Sequence, residues 1–260
     1  MLRKFRNSRS HGDNLKLGSL TAFTAGMVNV ASLILFFSFT SNITGHFAIL
    51  AEESSNGKWF QVLVVLLWIT LFFAGSFFSN LIIIQGNKRN SYVTHSIPLG
   101  LEILCLIGVG FYGHYFYTET LMETEVLVAI LLFSMGLQNG LTASISNFAV
   151  KTTHLTGLTT DLAIYVSMLT RKKYRKSSVV KEKIQLLGTI ASSYLAGGIV
   201  AGSLTHYFQF KVFFFISFAM FCVLLYDFSK TLVYIRLYNR RRKENEIRIR
   251  TENKASSTCG

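Results

Sequence analysis

Proline is almost missing: Pro98 is the only one in 260 residues. A chain so poor in the residue that breaks helices can run long ones. Cysteine is scarce as well. Cys105 and Cys222 fall inside apolar runs and Cys259 lies near the C-terminal end, a spacing that supplies neither a disulfide framework nor a zinc site. Acids number 13 against 26 lysines and arginines, and only 15% of the residues are charged. No phosphate-binding glycine loop, His-Glu-x-x-His, nucleophile elbow or dinucleotide fingerprint occurs. The chain is therefore expected not to be an enzyme, and no catalytic residue, metal ligand or cofactor is assigned.

What is present is hydrophobicity. Half the residues are apolar, 23 of them phenylalanine. They gather in six blocks: Leu17–Phe39, Trp59–Ile84, Ile97–Tyr117, Val126–Asn147, Ile184–Tyr207 and Val212–Ile235. Apolar blocks of about 20 residues are membrane-helix candidates. The first lacks a small-residue cleavage site and is expected to stay as a span.

The charges are sorted along the chain. Lysine and arginine occur five times before the first block, twice between the second and third, eight times between the fourth and fifth, and eight times after the sixth. The alternate loops hold almost none, and "TETLMETE" is acidic. This is the positive-inside pattern for a multi-pass protein of the cytoplasmic membrane with both termini in the cytoplasm. The basic tail "YNRRRKENEIRIR" reads as a solvated stop-transfer segment touching anionic lipid headgroups, not as a nucleic-acid site. Asn42-Ile43-Thr44 fits a glycosylation sequon but abuts the membrane.

Three landmarks recur in order. Gly26-x-x-Asn29 in the first block matches Gly136-x-x-Asn139 in the fourth. "SNITGH" then matches "THLTGL", placing Thr44-Gly45 against Thr156-Gly157. Ala74-Gly75 matches Ala196-Gly197, with the basic loop at residues 171–183 supplying the extra length. The predicted fold is all-α: six transmembrane helices as two inverted three-helix repeats, residues 17–117 and 118–235, between basic cytoplasmic segments at 1–16 and 236–260. An odd number of crossings per unit turns the second copy upside down. Threonine is a good N-cap and glycine lets the chain turn, so short broken or re-entrant helices are expected after spans one and four, the first the shorter. Two readings stay open. The breaks form a midplane substrate site at helix N-termini, or they are interfacial turns.

The landmarks resemble the YoaK family of bacterial six-helix membrane proteins, a domain of unknown function, over residues 17 to 235. The resemblance rests on "TAGMVNVASLILFFSFTSNITGH" and "SMGLQNGLTASISNFAVKTTHLTGLTTDLA". It implies an integral protein of the bacterial inner membrane. This chain departs from the family in carrying Asn29 where Asp is frequent and His46 where Asn is frequent.

Polar groups in spans mark pathways or interhelical bonds. Asn29, Gln138 and Asn139 admit both readings. Asp161 reads either as a cation or proton ligand near a helix start or as a solvent-facing charge. Glu102 reads as snorkelling, as pairing with Lys88 or Arg89, or as a proton relay. His46, His154, His95, His114 and His206 read as interfacial residues, with pH sensing by the first two as the alternative. "GGIVAG" reads as helix packing.

The functional expectation is a transporter of a small polar solute or ion. Its midplane site would be lined by Gly26, Asn29, Thr44, Gly45, Gln138, Asn139, Thr156, Gly157 and Asp161, and the protein would be a homodimer. The alternative is a non-transporting scaffold or accessory subunit that binds a partner through its basic tail or glycine-rich face.

Overall fold

The structure, a computed structural model, describes residues 9–86 and 91–225. Among them there is no strand. The helices are α1 (His11–Phe36), α2 (Ile43–Ser55), α3 (Trp59–Gly86), α4 (Ser91–Tyr115), α5 (Leu121–Ser146), α6 (Leu155–Met168), α7 (Lys172–Arg175), α8 (Ser178–Phe208) and α9 (residues 212–225). Helices are what a lipid-embedded chain requires, because each backbone donor finds its acceptor within the segment.

Local sequence sets the ends. Ser10 caps α1 and exchanges hydrogen bonds with Asp13, and Thr120 does the same with Glu123 for α5. The other ends of these two helices also match. α1 stops at Phe37 (φ 54°) and α5 at Asn147 (φ 55°), both left-handed. The first apolar block was expected to stay helical to Phe39. It does not, because Ser32 Oγ donates to the Ser38 carbonyl at 2.9 Å and Asn29 takes up the Thr40 amide, turning the chain back.

Five stretches are long and apolar enough to cross a membrane: His11–Phe36, Trp59–Gly86, Val93–Tyr115, Leu121–Ser146 and Ser178–Leu225. The last runs 48 residues, about 70 Å as one helix and about twice a bilayer core. It contains the fifth predicted block and the start of the sixth, parted by a 3-10 turn at Gln209–Lys211 with Gln209 at a positive φ of 46°. Phe210 of this turn packs against Phe36 and Tyr117, and the start of α9 lies along α4 at Gly110. Residues 226–235 of the sixth block lie outside the described residues. Chain contacts give one compact unit ending at Phe221 and a second from Cys222, whose described residues 222–225 are helical.

α1 lies along α8, α3 lies along α5, and α1 and α5 also touch. The most apolar of these helices is the least buried. The apolar window of α5 is 72% buried and that of α1 61% buried, against 22% for α3, which has the highest mean hydropathy, 2.3. Polar side chains therefore collect on the two central helices, while α3 turns Phe73, Phe77 and Phe78 outward, as a lipid neighbour demands.

Candidate functional site

Four glycines set the helix crossings. A Cβ on Gly26 of α1 would collide with the Tyr194 carbonyl of α8, and one on Gly197 of α8 with the Phe23 carbonyl of α1. In the other pair, a Cβ on Gly136 of α5 would collide with the Phe72 carbonyl of α3, and one on Gly75 of α3 with the Phe133 carbonyl of α5. A third contact also has its match: Gly198 meets Val30, and Gly140 meets Ser76. Positions on α1 reappear 110 residues later on α5, and positions on α3 reappear 122 residues later on α8. The "GGIVAG" face is thus used inside the chain, with Gly197 and Gly198 buried against α1. It leaves those glycines no surface to offer a partner. The basic tail lies outside the described residues.

The two asparagines sit where each crossing meets its chain break. Asn29 Oδ1 accepts from the Thr40 amide at 2.8 Å and the Thr40 hydroxyl at 3.1 Å, and Asn29 Nδ2 donates to the Tyr194 hydroxyl. Asn139 Oδ1 accepts from the hydroxyls of Thr153 at 3.0 Å and Thr152 at 3.4 Å. Its amide turns back to the Met135 carbonyl at 3.0 Å, because Phe72, the residue matching Tyr194, has no hydroxyl. Asn29 is buried and Asn139 only partly so.

The short helices differ from the sequence expectation in two respects. They are nearly equal, 13 residues for α2 and 14 for α6. Thr44 and Thr156 are not the caps, since both lie in the first turn and are exposed. Asn42 caps α2, accepting from the Gly45 amide at 3.2 Å, whereas no side chain caps α6 at His154. Gly45 and Gly157 make room rather than turn the chain: a Cβ at Gly45 would press on the Asn42 side chain, and one at Gly157 on the His154 ring, each three residues earlier.

Each short helix has one buried residue, His46 in α2 and Leu158 in α6. His46 is therefore a packed residue and not an interfacial one. His95 is likewise buried, while His154, His114 and His206 are exposed. The His46 Nε2–H donates to the Phe39 carbonyl at 2.9 Å, and the ring stands edge-on to Trp68 with centroids 5.3 Å apart. Burial lowers the His46 pKa below 6.5, and the bond to Phe39 offsets part of that. The folded state then binds fewer protons than the unfolded state. Stability is complete above about pH 6.5 and is lost as pH falls through the lowered folded value. His46→Gln keeps an N–H donor without titrating. Its unfolding midpoint is expected to vary less with pH below neutrality than that of the wild type; identical pH profiles would remove His46 as the cause.

The nine expected site residues do not line one cavity. Gly26 is closed in by α8, and Asn29 is enclosed by Thr40 and Tyr194. Thr44, Thr156 and Asp161 are exposed and Gly45 is half-buried. Asn139 lines a groove of about 730 Å³ between α3 and α5, together with Ser76, Asn80, Ser144, Lys151, Thr153 and His154. Ser144 Oγ donates to Asn80 Oδ1 across it at 2.8 Å. Gly157 and Asp161 line a smaller hollow of about 210 Å³ with Lys151 and Lys183. Asp161 is therefore placed among lysines. Lys151 and His154 border both spaces.

Gln138 lies apart from both, fully buried. Its Nε2 donates to Thr24 Oγ1 of α1 at 2.9 Å and to Glu102 Oε1 of α4 at 3.0 Å. Glu102 does not snorkel; it has no exposed surface. The basic residues Lys88 and Arg89 lie outside the described residues. Among the described residues no group of three or more His, Cys, Asp or Glu could hold a metal.

Sequence reasoning missed Tyr194, Thr24, Asn80 and Lys151. Tyr194 had a signal: it precedes Gly197 by three residues, as Phe72 precedes Gly75.

A family model described as a protein of unknown function (DUF1275) matches residues 17–226, and the chain belongs to that family. The YoaK-like resemblance agrees with it. No curated protein matches, and no solved structure matches.

Proposed function

We propose that this DUF1275 protein is a carrier of a small polar solute across the cytoplasmic membrane, built from two inverted three-helix repeats that exchange helices. The observation that carries this reading is the matched packing. Gly26 on Tyr194 and Gly197 on Phe23 become Gly136 on Phe72 and Gly75 on Phe133 under one pair of shifts. The bond between Thr24 and Gln138 joins α1 to α5, the two helices that the 110-residue shift relates. Each rod, α1 with α8 and α3 with α5, takes one helix from either repeat. Small rotations of one rod against the other would expose a site first to one side and then to the other.

The solute site in this reading is the groove beside Asn139. Its volume falls in the range of about 300–1,000 Å³ common for small-molecule sites. The matching place in the first repeat is closed by the Tyr194 hydroxyl on Asn29, so one half-site is sealed and one is open. Asn80, Ser144 and the Asn139–Thr153 pair offer hydrogen bonds, and Lys151 and His154 stand at its border.

The test is thermal unfolding of the purified protein against a library of ions, sugars, amino acids, nucleobases and organic acids. A solute at a hundred times its Kd stabilises the folded state by about 2.7 kcal/mol. The shift is expected to vanish in Asn139→Ala and to shrink in Asp161→Asn, with both variants folded. An undiminished shift in Asn139→Ala would place the site elsewhere. No shift from any compound would favour the non-transporting accessory subunit.

A further inference from the structure

We infer that the Glu102 carboxyl is a proton-binding site that exchanges with water and is held at the contact between the two halves of the protein. Glu102 and Gln138 are both without exposed surface. The Gln138 Nε2 donates to Glu102 Oε1 at 3.0 Å and leaves two buried oxygens without partners, Glu102 Oε2 and Gln138 Oε1. A carboxylic acid and a primary amide pair through two bonds, an amide N–H to the acid carbonyl and an acid O–H to the amide carbonyl. The first is present. The two unpartnered oxygens are the ones the second would join, and it forms only when a proton sits on Oε2.

The surroundings offer the ionised form little. Among the described residues Gln138 is the only hydrogen-bond partner of Glu102, and an unpaired charge away from water is costly. On α4 itself His95 lies two turns before it and Cys105 one turn after. α3 has no ionisable side chain along its length. On α5 the acids are Glu123 and Glu125, more than three turns from Gln138. On α1 the nearest ionisable side chain to Thr24 is Lys16, two turns away. Lys211, in the 3-10 turn that packs on α4, lies at the level of Gly110 and Gly113, two turns or more beyond Glu102. A proton arriving at Glu102 therefore makes the second bond to Gln138, and a proton leaving breaks it.

Gln138 carries this change onward, since the same amide donates to Thr24 at 2.9 Å across the line where α5 meets α1. At the shift that relates α3 to α8, the position 122 residues after Glu102 is Leu224. Taken with the carrier reading, on which this last step rests, the proton is the ion that drives the solute.

Infrared spectroscopy of the protein in lipid tests the site without any solute. The wild type is expected to show a protonated-carboxyl C=O band near neutral pH that moves in D₂O and loses most of its intensity at alkaline pH. The band should shift when glutamate carries ¹³C at its carboxyl, and be lost in Glu102→Gln, which can still pair with the Gln138 amide. Absence of the band from the wild type at every pH would overturn the proposal. So would a ¹³C-sensitive band that neither titrates nor exchanges, which would make Glu102 a permanent structural acid. Because no solute is present, failure here is separate from failure of the ligand screen.

Discussion

Gly26→Ala and Gly136→Ala are each expected to lower the stability of the protein in mixed micelles by about 3 kcal/mol, near the top of the range for overpacking. The added methyl meets a backbone carbonyl, of Tyr194 in one case and Phe72 in the other, and a helix backbone cannot swing aside as a side chain can. The relief is separation of the two helices, with loss of contact along the crossing. Gly100→Ala and Gly108→Ala are the controls. Both lie in α4 with nothing within 4 Å of a new Cβ, and both should be neutral or stabilising by up to about 1 kcal/mol through helix propensity. Denaturant titrations followed by circular dichroism would show it. If the Gly26 and Gly136 variants match the controls, the helix crossings described above are wrong. If one costs much more than the other, the two crossings are not equivalent.

Asn29→Ala and Asn139→Ala should separate the two halves. Asn29→Ala is expected to cost about 3 kcal/mol, since it strips a buried backbone amide, that of Thr40, of its acceptor and leaves the Tyr194 hydroxyl without its amide partner. Asn139→Ala should cost about 1 kcal/mol, because the nearer of its lost partners, Thr153, lines an open groove where its hydroxyl can turn to water, and the buried Thr152 gives up only a 3.4 Å bond. Unfolding in the same titrations gives both values. Equal costs would contradict the sealed-and-open contrast on which the choice of groove depends.

These residues also show what the sequence could and could not convey. The apolar blocks were legible because lipid imposes length and composition directly. Gly-x-x-Asn was legible as a landmark, but its two halves do separate things: the glycine admits a neighbouring backbone and the asparagine ties down the chain break. Only coordinates distribute those roles. The Thr-Gly signal suggested capping by threonine, and Asn42 took that place because a side chain three residues before Gly45 reaches its amide. Snorkelling by Glu102, one of the readings the sequence left open, fails because distance from a block's end does not say which face of a helix a residue occupies. Its partner, Gln138, comes from α5, 36 residues away in sequence.

The pairing of α1 with α8 bears on how the protein is made. Asn29 waits for Tyr194, a partner 165 residues later. At roughly 5–20 residues per second, that is about 8 to 33 seconds of synthesis. Throughout that interval α1 is already in or near the bilayer with its glycine face uncovered, and α3 pairs with α5 first because their contacts are only about 60 residues apart. The nascent chain therefore assembles from the inside of its sequence outward. Its first helix must be kept from the wrong neighbours until α8 emerges.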